Sequence, residues 1–206
     1  MKKINPSKPG ARHVMGPGGL SLKGFADWYR NESLLQWQNL DISAISSLAQ
    51  KIIETEQKGR NIYVMGNGGS AATASHWATD FSKTARVEGR PFIRCQSLSE
   101  NMAYLTAIGN DISFDDCFSL QLQNVLKPND MVILISGSGN SKNLIKAAHY
   151  AQKCKAYSVG VLGFNGGRLG SLVDLPILTP SEQYGVIEDI HMAIGHILTF
   201  YLKQRR

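Results

Sequence analysis

The chain has 206 residues, long enough for one domain with a substantial core. Its 43% hydrophobic and 18% charged residues are typical of a globular protein and exclude a disordered one. The formal charge is +6, but much of the basic excess lies at the two ends, at Lys2, Lys3, Lys8, Arg12, Lys203, Arg205 and Arg206. No basic stripe with interleaved aromatic residues lies between them, so we expect no nucleic-acid partner and a surface that attracts anionic metabolites.

Cysteine usage and hydropathy predict the compartment. The three cysteines, Cys95, Cys117 and Cys154, are odd in number and lack disulfide-like or metal-like spacing. We therefore expect reduced thiols and a cytoplasmic location. No apolar run follows Lys2 and Lys3, and no apolar stretch is long enough for a bilayer, so we expect neither a signal peptide nor a membrane partner.

The first 24 residues are rich in Pro, Gly and Lys and show no helix or strand period, which predicts a flexible arm. From residue 25 to 58 large apolar residues recur at helical spacing, and either Asp41 or Ser43 could begin a second helix. These helices carry more apolar side chains than a free surface tolerates. We expect them to pack on a single domain over 25–206 or on another subunit.

Short apolar runs then alternate with helical segments. We predict strands at 61–65, 92–98, 131–135, 157–162 and 175–178, and helices at 71–84, 101–108, 114–126, 142–154 and 184–204. Such alternation is typical of an α/β fold with a parallel sheet covered on both faces. Ligands of these folds bind at the carboxyl edge of the strands, where every strand-to-helix loop lies.

The clearest chemical signal is the sequence SGSGNS at 136–141, between a strand and a helix. Small residues allow close approach of a ligand, the hydroxyls donate hydrogen bonds, and the following helix directs its positive end at the loop. These features indicate a phosphate site, although an ordinary Ser/Gly turn is the alternative. The Walker lysine is missing, which disfavours a nucleoside triphosphate, and the absence of GxGxxG disfavours a dinucleotide.

Three further features carry candidate polar residues. The loop GNGGSA at 66–71 is a plain turn or a backbone cradle for a polar ligand. His76 and Asp80 follow it four residues apart, on one helix face, as a surface pair, a base with its neighbour, or two metal ligands. The last helix carries Glu188 and His196 among apolar residues, where polar groups need pairing or a function. On the same helix we expect His191 to make a structural hydrogen bond.

Together these segments resemble the sugar isomerase (SIS) domain family, and within it the phosphoheptose isomerases. The resemblance rests on SGSGNS at 136–141, GNGGSAATASHWATD at 66–80, AIGNDISFDDCFS at 107–119 and EDIHMAIGH at 188–196. It implies a flavodoxin-like parallel sheet flanked by helices, a homotetramer, and an aldose–ketose isomerisation of sedoheptulose 7-phosphate or a similar sugar phosphate.

The resemblance also implies roles for individual residues. Asp80 would be the catalytic base and His196 the acid, and Zn²⁺ could be held by His76, Asp80, Glu188 and His196. The residues that the resemblance implies for substrate binding are Asn67, Gly68, Gly69, Ser70, Asn110, Asp111, Ser136, Gly137, Ser138, Ser141 and Glu188.

Three positions depart from the family pattern, which has Glu at Asp80, Gln at Glu188 and Arg at Val186. The shorter side chain at 80 would displace a catalytic carboxylate, and a small displacement is costly in rate. A phosphosugar isomerase is nevertheless the first hypothesis, because His76, His196 and a carboxylate at position 80 are present. The alternative is a non-catalytic SIS module that senses a sugar phosphate or binds a partner protein.

Overall fold

The computed structural model describes residues 16–205, which form seven α-helices and five β-strands. In chain order these are α1 (Leu22–Asn39), α2 (Ile42–Gln57), β1 (Asn61–Gly66), α3 (Gly69–Thr79), β2 (Arg94–Ser97), α4 (Met102–Asp111), α5 (Cys117–Val125), β3 (Met131–Ser136), α6 (Lys142–Lys153), β4 (Tyr157–Gly163), β5 (Leu175–Thr179) and α7 (Tyr184–Gln204). A π-helical turn, Asp80–Thr84, extends α3, and 3-10 turns lie at Phe114–Asp116 and Leu169–Ser171.

The five strands form one parallel sheet in the order β2-β1-β3-β4-β5. This is the flavodoxin-like order, in which the connection changes direction between β1 and β3. The predicted fold class is therefore confirmed. Ligands of such sheets bind at the carboxyl ends of the two strands that flank this change of direction.

Both faces of the sheet are buried. Alternate residues of β3 point to opposite sides, so that Ile133 contacts a core built with α2, α3 and α7, and Leu134 contacts a core built with α5 and α6. Burial on both sides explains why β3 reads as an uninterrupted apolar run.

The helix boundaries differ from the predictions at several points. The Ser21 hydroxyl accepts a hydrogen bond from the Gly24 N–H, so α1 begins at Leu22, inside the predicted arm. Residues 1–15 of that arm lie outside the described residues, and the domain limits stay a prediction. Of the two candidates for the second helix start, Asp41 is the cap, because its carboxylate accepts from the Ser43 and Ala44 N–H groups. Strand β2 is shorter than predicted.

The cysteines and the helices bear on compartment. Cys95, Cys117 and Cys154 are all free thiols. Within residues 16–205, no helix combines the length and apolar character needed to cross a bilayer.

His191 lies on the buried side of α7 with no exposed surface. Neither ring nitrogen has a partner at full hydrogen-bond geometry among residues 16–205, so the expected structural hydrogen bond rests on the nearby Leu162 backbone alone. Burial lowers the pKa of His191 from 6.5 to about 4, and the adjacent backbone of Leu162 opposes this shift without reaching hydrogen-bond geometry. The folded protein therefore holds a neutral imidazole in its core.

This burial predicts a pH dependence of stability. Because the folded pKa is lowered, only the unfolded chain takes up the proton between pH 6.5 and about 4. Stability from this group is present above pH 6.5 and falls by roughly 3 kcal/mol as the pH drops to about 4. Urea unfolding of wild type and His191→Leu at pH 7 and pH 4.5 measures this loss of stability. Between the two pH values the free energy of unfolding should fall less for the variant than for wild type. The exposed His149→Gln is the matched control, and equal losses in all three proteins would contradict the prediction.

Candidate active site

Two loops meet at the carboxyl edge of the sheet. Strand β1 pairs with β3 so that Gly66 lies opposite Ile135, which brings the loop after β1 beside the loop after β3. A cavity of about 150 Å³ opens between them. Its lining comprises Asn67, Ser70, Ile135, Ser136, Gly137, Ser138, Ser141, Tyr184 and Glu188. Six of the predicted substrate-binding residues from the two loops therefore share one cavity with Glu188.

The 136–141 loop, here called the serine loop, presents hydroxyl groups with free hydrogens. The Ser136 hydroxyl accepts from the Gly139 N–H at 3.0 Å, and the Ser138 hydroxyl accepts from the Asn140 N–H at 3.2 Å. Ser141 is the N-cap of α6 but its side chain makes no capping bond. Each hydroxyl hydrogen can thus be donated to a ligand, beside the positive end of α6. This arrangement suits an anion such as phosphate.

Asn143, which sequence analysis missed, joins the two loops. Its buried amide exchanges two hydrogen bonds with the Asn67 amide, at 2.9 and 3.0 Å, and also contacts the Cys117 sulfur at 3.3 Å. The pair fixes the orientation of Asn67 at the cavity. The only signal in the sequence is a polar residue in the first turn of α6, which is also where a helix commonly carries one.

A third loop, residues 163–170 after β4, supports the serine loop from behind and was also missed. Asn140 joins this loop to the serine loop. The Asn140 side-chain oxygen accepts a hydrogen bond from the Arg168 N–H, and the Asn140 amide nitrogen donates one to the Ser138 carbonyl. The Leu169 N–H donates to the Gly139 carbonyl at 3.0 Å. The serine loop is therefore held in place before any ligand arrives.

A second polar group lies further along α3 and α7. The Nε2 atoms of His76 and His196 are 3.0 Å apart, and the Asp80 carboxylate lies 3.3 Å from His76 Nε2. Among residues 16–205, His76, Asp80 and His196 are the set whose ligand atoms all fall within 4.8 Å of one another. Two imidazole nitrogens and a carboxylate that converge in this way match the donor types and number of a catalytic zinc site.

Close contact between α3 and α7 produces this convergence. Trp77 is fully buried, and its indole ring lies directly against the backbone of Gly195. A Cβ at 195 would overlap the indole ring, so a larger residue would force the helices apart. His76 and His196 are the sequence neighbours of this contact and therefore meet at its edge.

Asp80 begins the π-helical turn, where a continuous α-helix was predicted. The Ala85 N–H donates to the Asp80 carbonyl at 2.8 Å, five residues back, and the Thr84 hydroxyl donates to the Asp80 carboxylate at 2.9 Å. Such turns are frequent at functional sites. Both carboxylate oxygens of Asp80 are thus engaged, one by Thr84 and one by His76.

The other predicted site residues fall outside this group. Glu188 lies against Gly69 at the start of α3 and lines the cavity, not the histidine cluster. Gly68 is the N-cap residue of α3 and is exposed. Asn110 and Asp111 are exposed at the end of α4, bonded to each other at 2.8 Å, and do not line the cavity.

Comparison with known proteins is consistent with this geometry. Residues 29–163 match the SIS domain family. The chain is 38% identical to the phosphoheptose isomerase of Trichlorobacter lovleyi over 173 residues, which cover 84% of this chain and 88% of that protein. It is 40% identical to the phosphoheptose isomerase of Aneurinibacillus thermoaerophilus over 167 residues, covering 81% and 83% of the two chains.

The chain belongs to the phosphoheptose isomerase family of SIS-domain proteins. The structure of phosphoheptose isomerase from Neisseria gonorrhoeae superposes with a TM-score of 0.83 at 25% identity, covering 90% of this chain and all of that one. The resemblance drawn from the four sequence motifs is thereby confirmed.

Proposed function

We propose that this protein is a phosphosugar aldose–ketose isomerase that acts on sedoheptulose 7-phosphate or a similar sugar phosphate. Two relatives that are 38% and 40% identical to this chain over their aligned residues are named phosphoheptose isomerase. The observation that carries the proposal is the presence of two sites along one pair of helices. The serine loop and Glu188 lie near the start of α3, and the His76–Asp80–His196 group lies near its end.

The serine loop is the proposed phosphate anchor. Ser136, Ser138 and Ser141 donate hydroxyl hydrogens, and the N-terminus of α6 supplies a positive potential. Asn67, held by Asn143, and the backbone at Gly68 and Gly69 then contact the sugar chain. The reacting carbons lie at the opposite end of the sugar from its phosphate. An anchored substrate therefore extends away from the serine loop along α3, where about 9 Å of helix separates Ser70 from His76.

Proton transfer at those carbons is assigned to Asp80 and His196. The Asp80 carboxylate removes the proton from the carbon beside the carbonyl, which leaves an enediolate, and His196 supplies the proton that neutralises its oxygen. Asp80 then returns its proton to the neighbouring carbon, and the hydroxyl on the first carbon gives its proton to His196 as the new carbonyl forms, which completes the exchange of aldose and ketose and restores both groups. His76 contacts both groups, so it holds the carboxylate and the second imidazole in their relative positions.

A divalent metal is compatible with the same residues. His76, Asp80 and His196 supply two nitrogen ligands and one oxygen ligand, which are the types that Zn²⁺ takes with an open fourth position. When bound, Zn²⁺ supplies a Lewis acid that polarises a substrate oxygen. Glu188 is not among these three ligands, so its proposed contribution is contact with the sugar.

We also propose a cytoplasmic homotetramer. Large apolar side chains are exposed around α1 and the start of α2, and on one side of α7: Leu34, Leu35, Trp37, Ile42, Ile197, Phe200 and Tyr201. Exposed apolar surface of this extent is typical of an interface, and closed symmetry is its usual outcome. The three free thiols support a reducing compartment.

The phosphate anchor is tested by Ser138→Ala combined with Ser141→Ala. The double variant should weaken the binding of sedoheptulose 7-phosphate by a few kcal/mol, because each hydrogen bond to a charged group contributes roughly 1.5–3 kcal/mol. Isothermal titration calorimetry measures the affinity. Ser46→Ala with Ser47→Ala, two exposed serines on α2, is the matched control. Unchanged affinity in the first double variant would place the phosphate elsewhere.

The catalytic assignment is tested at Asp80. Asp80→Asn should abolish isomerisation but leave substrate affinity nearly intact, because it removes the base and not the anchor. Asp80→Glu restores the longer carboxylate of the family pattern and should preserve or raise turnover. Product formation followed by NMR, with Zn²⁺ supplied, is the measurement, and Asp27→Asn on the surface of α1 is the control.

Two results would contradict this assignment. If Asp80→Asn retains wild-type turnover, the base lies elsewhere. If no variant and no wild-type preparation isomerises the sugar, although all bind it, the protein is a sugar-phosphate sensor.

The tetramer is tested by light scattering at micromolar concentration. We expect four times the 22.6 kDa chain mass for the wild type. Phe200→Glu should reduce this mass, because it places a charge in the apolar surface of α7. Met102→Glu, exposed on the other side of the sheet, is the control that should leave it unchanged. A monomeric wild type would refute the assembly.

A further inference from the structure

We propose that Tyr184 determines which phosphate esters enter the serine loop, with its ring as the wall of the cavity and its hydroxyl as a hydrogen-bond donor to the ligand. This inference rests on the proposed function, because it concerns the phosphate end of the same site. Tyr184 is the first residue of α7 and lines the cavity together with Ser138, Ser141 and Glu188.

The ring of Tyr184 lies directly on the serine loop. A Cβ at Gly137 would come within 2.7 Å of the ring, so the two are in contact across the glycine backbone. The ring also meets Phe164 edge to face, with the ring centres 5.2 Å apart. The phenol therefore contacts both the loop that would bind the phosphate and a second aromatic ring.

Phe164 adopts a backbone conformation that a bulky residue rarely takes. Its φ is +49°, in the left-handed region, which is strained for a residue with a side chain. The Phe164 N–H donates to the Ser181 carbonyl at 3.2 Å, which ties it to the segment before α7. Strain that persists beside a ligand cavity points to a positional requirement, and here the position is that of the ring supporting Tyr184.

The hydroxyl of Tyr184 has no hydrogen-bond partner among residues 16–205, and 39% of the residue surface is exposed. Tyr184 lines a cavity that already offers three serine hydroxyls, and the proposal makes its hydroxyl a further donor there. The cavity of about 150 Å³ has room for a phosphate and the atoms next to it. A flat ring at its edge admits a phosphate on a terminal CH₂ group and obstructs one attached directly to a sugar ring.

The predicted specificity is therefore for primary phosphate esters. Tyr184→Phe keeps the wall and removes the donor, so it should weaken binding of sedoheptulose 7-phosphate up to about tenfold without changing selectivity. Tyr184→Ala removes the wall as well. It should narrow the affinity gap between sedoheptulose 7-phosphate and glucose 1-phosphate, whose phosphate is on the ring.

Calorimetric titration of both compounds into wild type, Tyr184→Phe, Tyr184→Ala and the control Tyr150→Phe measures these effects. Tyr150 is a half-buried tyrosine near the end of α6, outside the cavity, and its variant should match wild type. If wild type binds sedoheptulose 7-phosphate but both Tyr184 variants keep its affinity and selectivity, only this inference is overturned. If folded wild type binds neither compound, the proposed function fails and the inference fails with it.

Discussion

The contact between Trp77 and Gly195 is the constraint on which the histidine cluster depends. Neither residue carries out chemistry, yet their packing sets the distance between α3 and α7 and thereby places His76 against His196. The indole N–H is buried without a hydrogen-bond partner among the described residues. Burying an unpaired donor costs free energy. The structure nevertheless buries this donor. The free energy gained by packing the two helices closely therefore outweighs the free energy lost by leaving the indole N–H without a hydrogen bond.

The same pair of helices also connects the two halves of the proposed site. Along α3, the chain passes from Gly69, in contact with Glu188, to His76, in contact with His196. Helix α7 runs beside α3 in the same direction. Glu188 lies against Gly69, and further along both helices Gly195 lies against Trp77 and His196 against His76. A long substrate anchored at the serine loop, as proposed, would therefore lie along two rigid helices that lead to the proposed proton-transfer groups. Rigid elements hold reacting groups more accurately than loops do.

Sequence reasoning succeeded where the signal was local or familial. The strand before the serine loop is an uninterrupted apolar run, and its burial on both faces follows from the parallel topology.

The reciprocal amide pair of Asn67 and Asn143 could not be predicted, because its members are 76 positions apart and each alone is an ordinary loop or helix-start residue. The support of Tyr184 by Phe164 was equally hidden, since a positive φ at a phenylalanine has no sequence signature. Asn110 and Asp111 stay a prediction from the family motif, and within one subunit they are solvent-exposed and do not line the cavity.

The shortened carboxylate at position 80 raised the strongest objection to catalysis, and the backbone bears on it directly. The π-helical turn begins at Asp80, the residue whose side chain is one methylene shorter than the family pattern. A wide turn changes the path of the backbone where an adjustment would restore the reach of the side chain. The Asp80 carboxylate does reach His76, at 3.3 Å, and Thr84 fixes its second oxygen. The two contacts fix the orientation of the carboxylate, as its proposed role as a proton-transfer base requires.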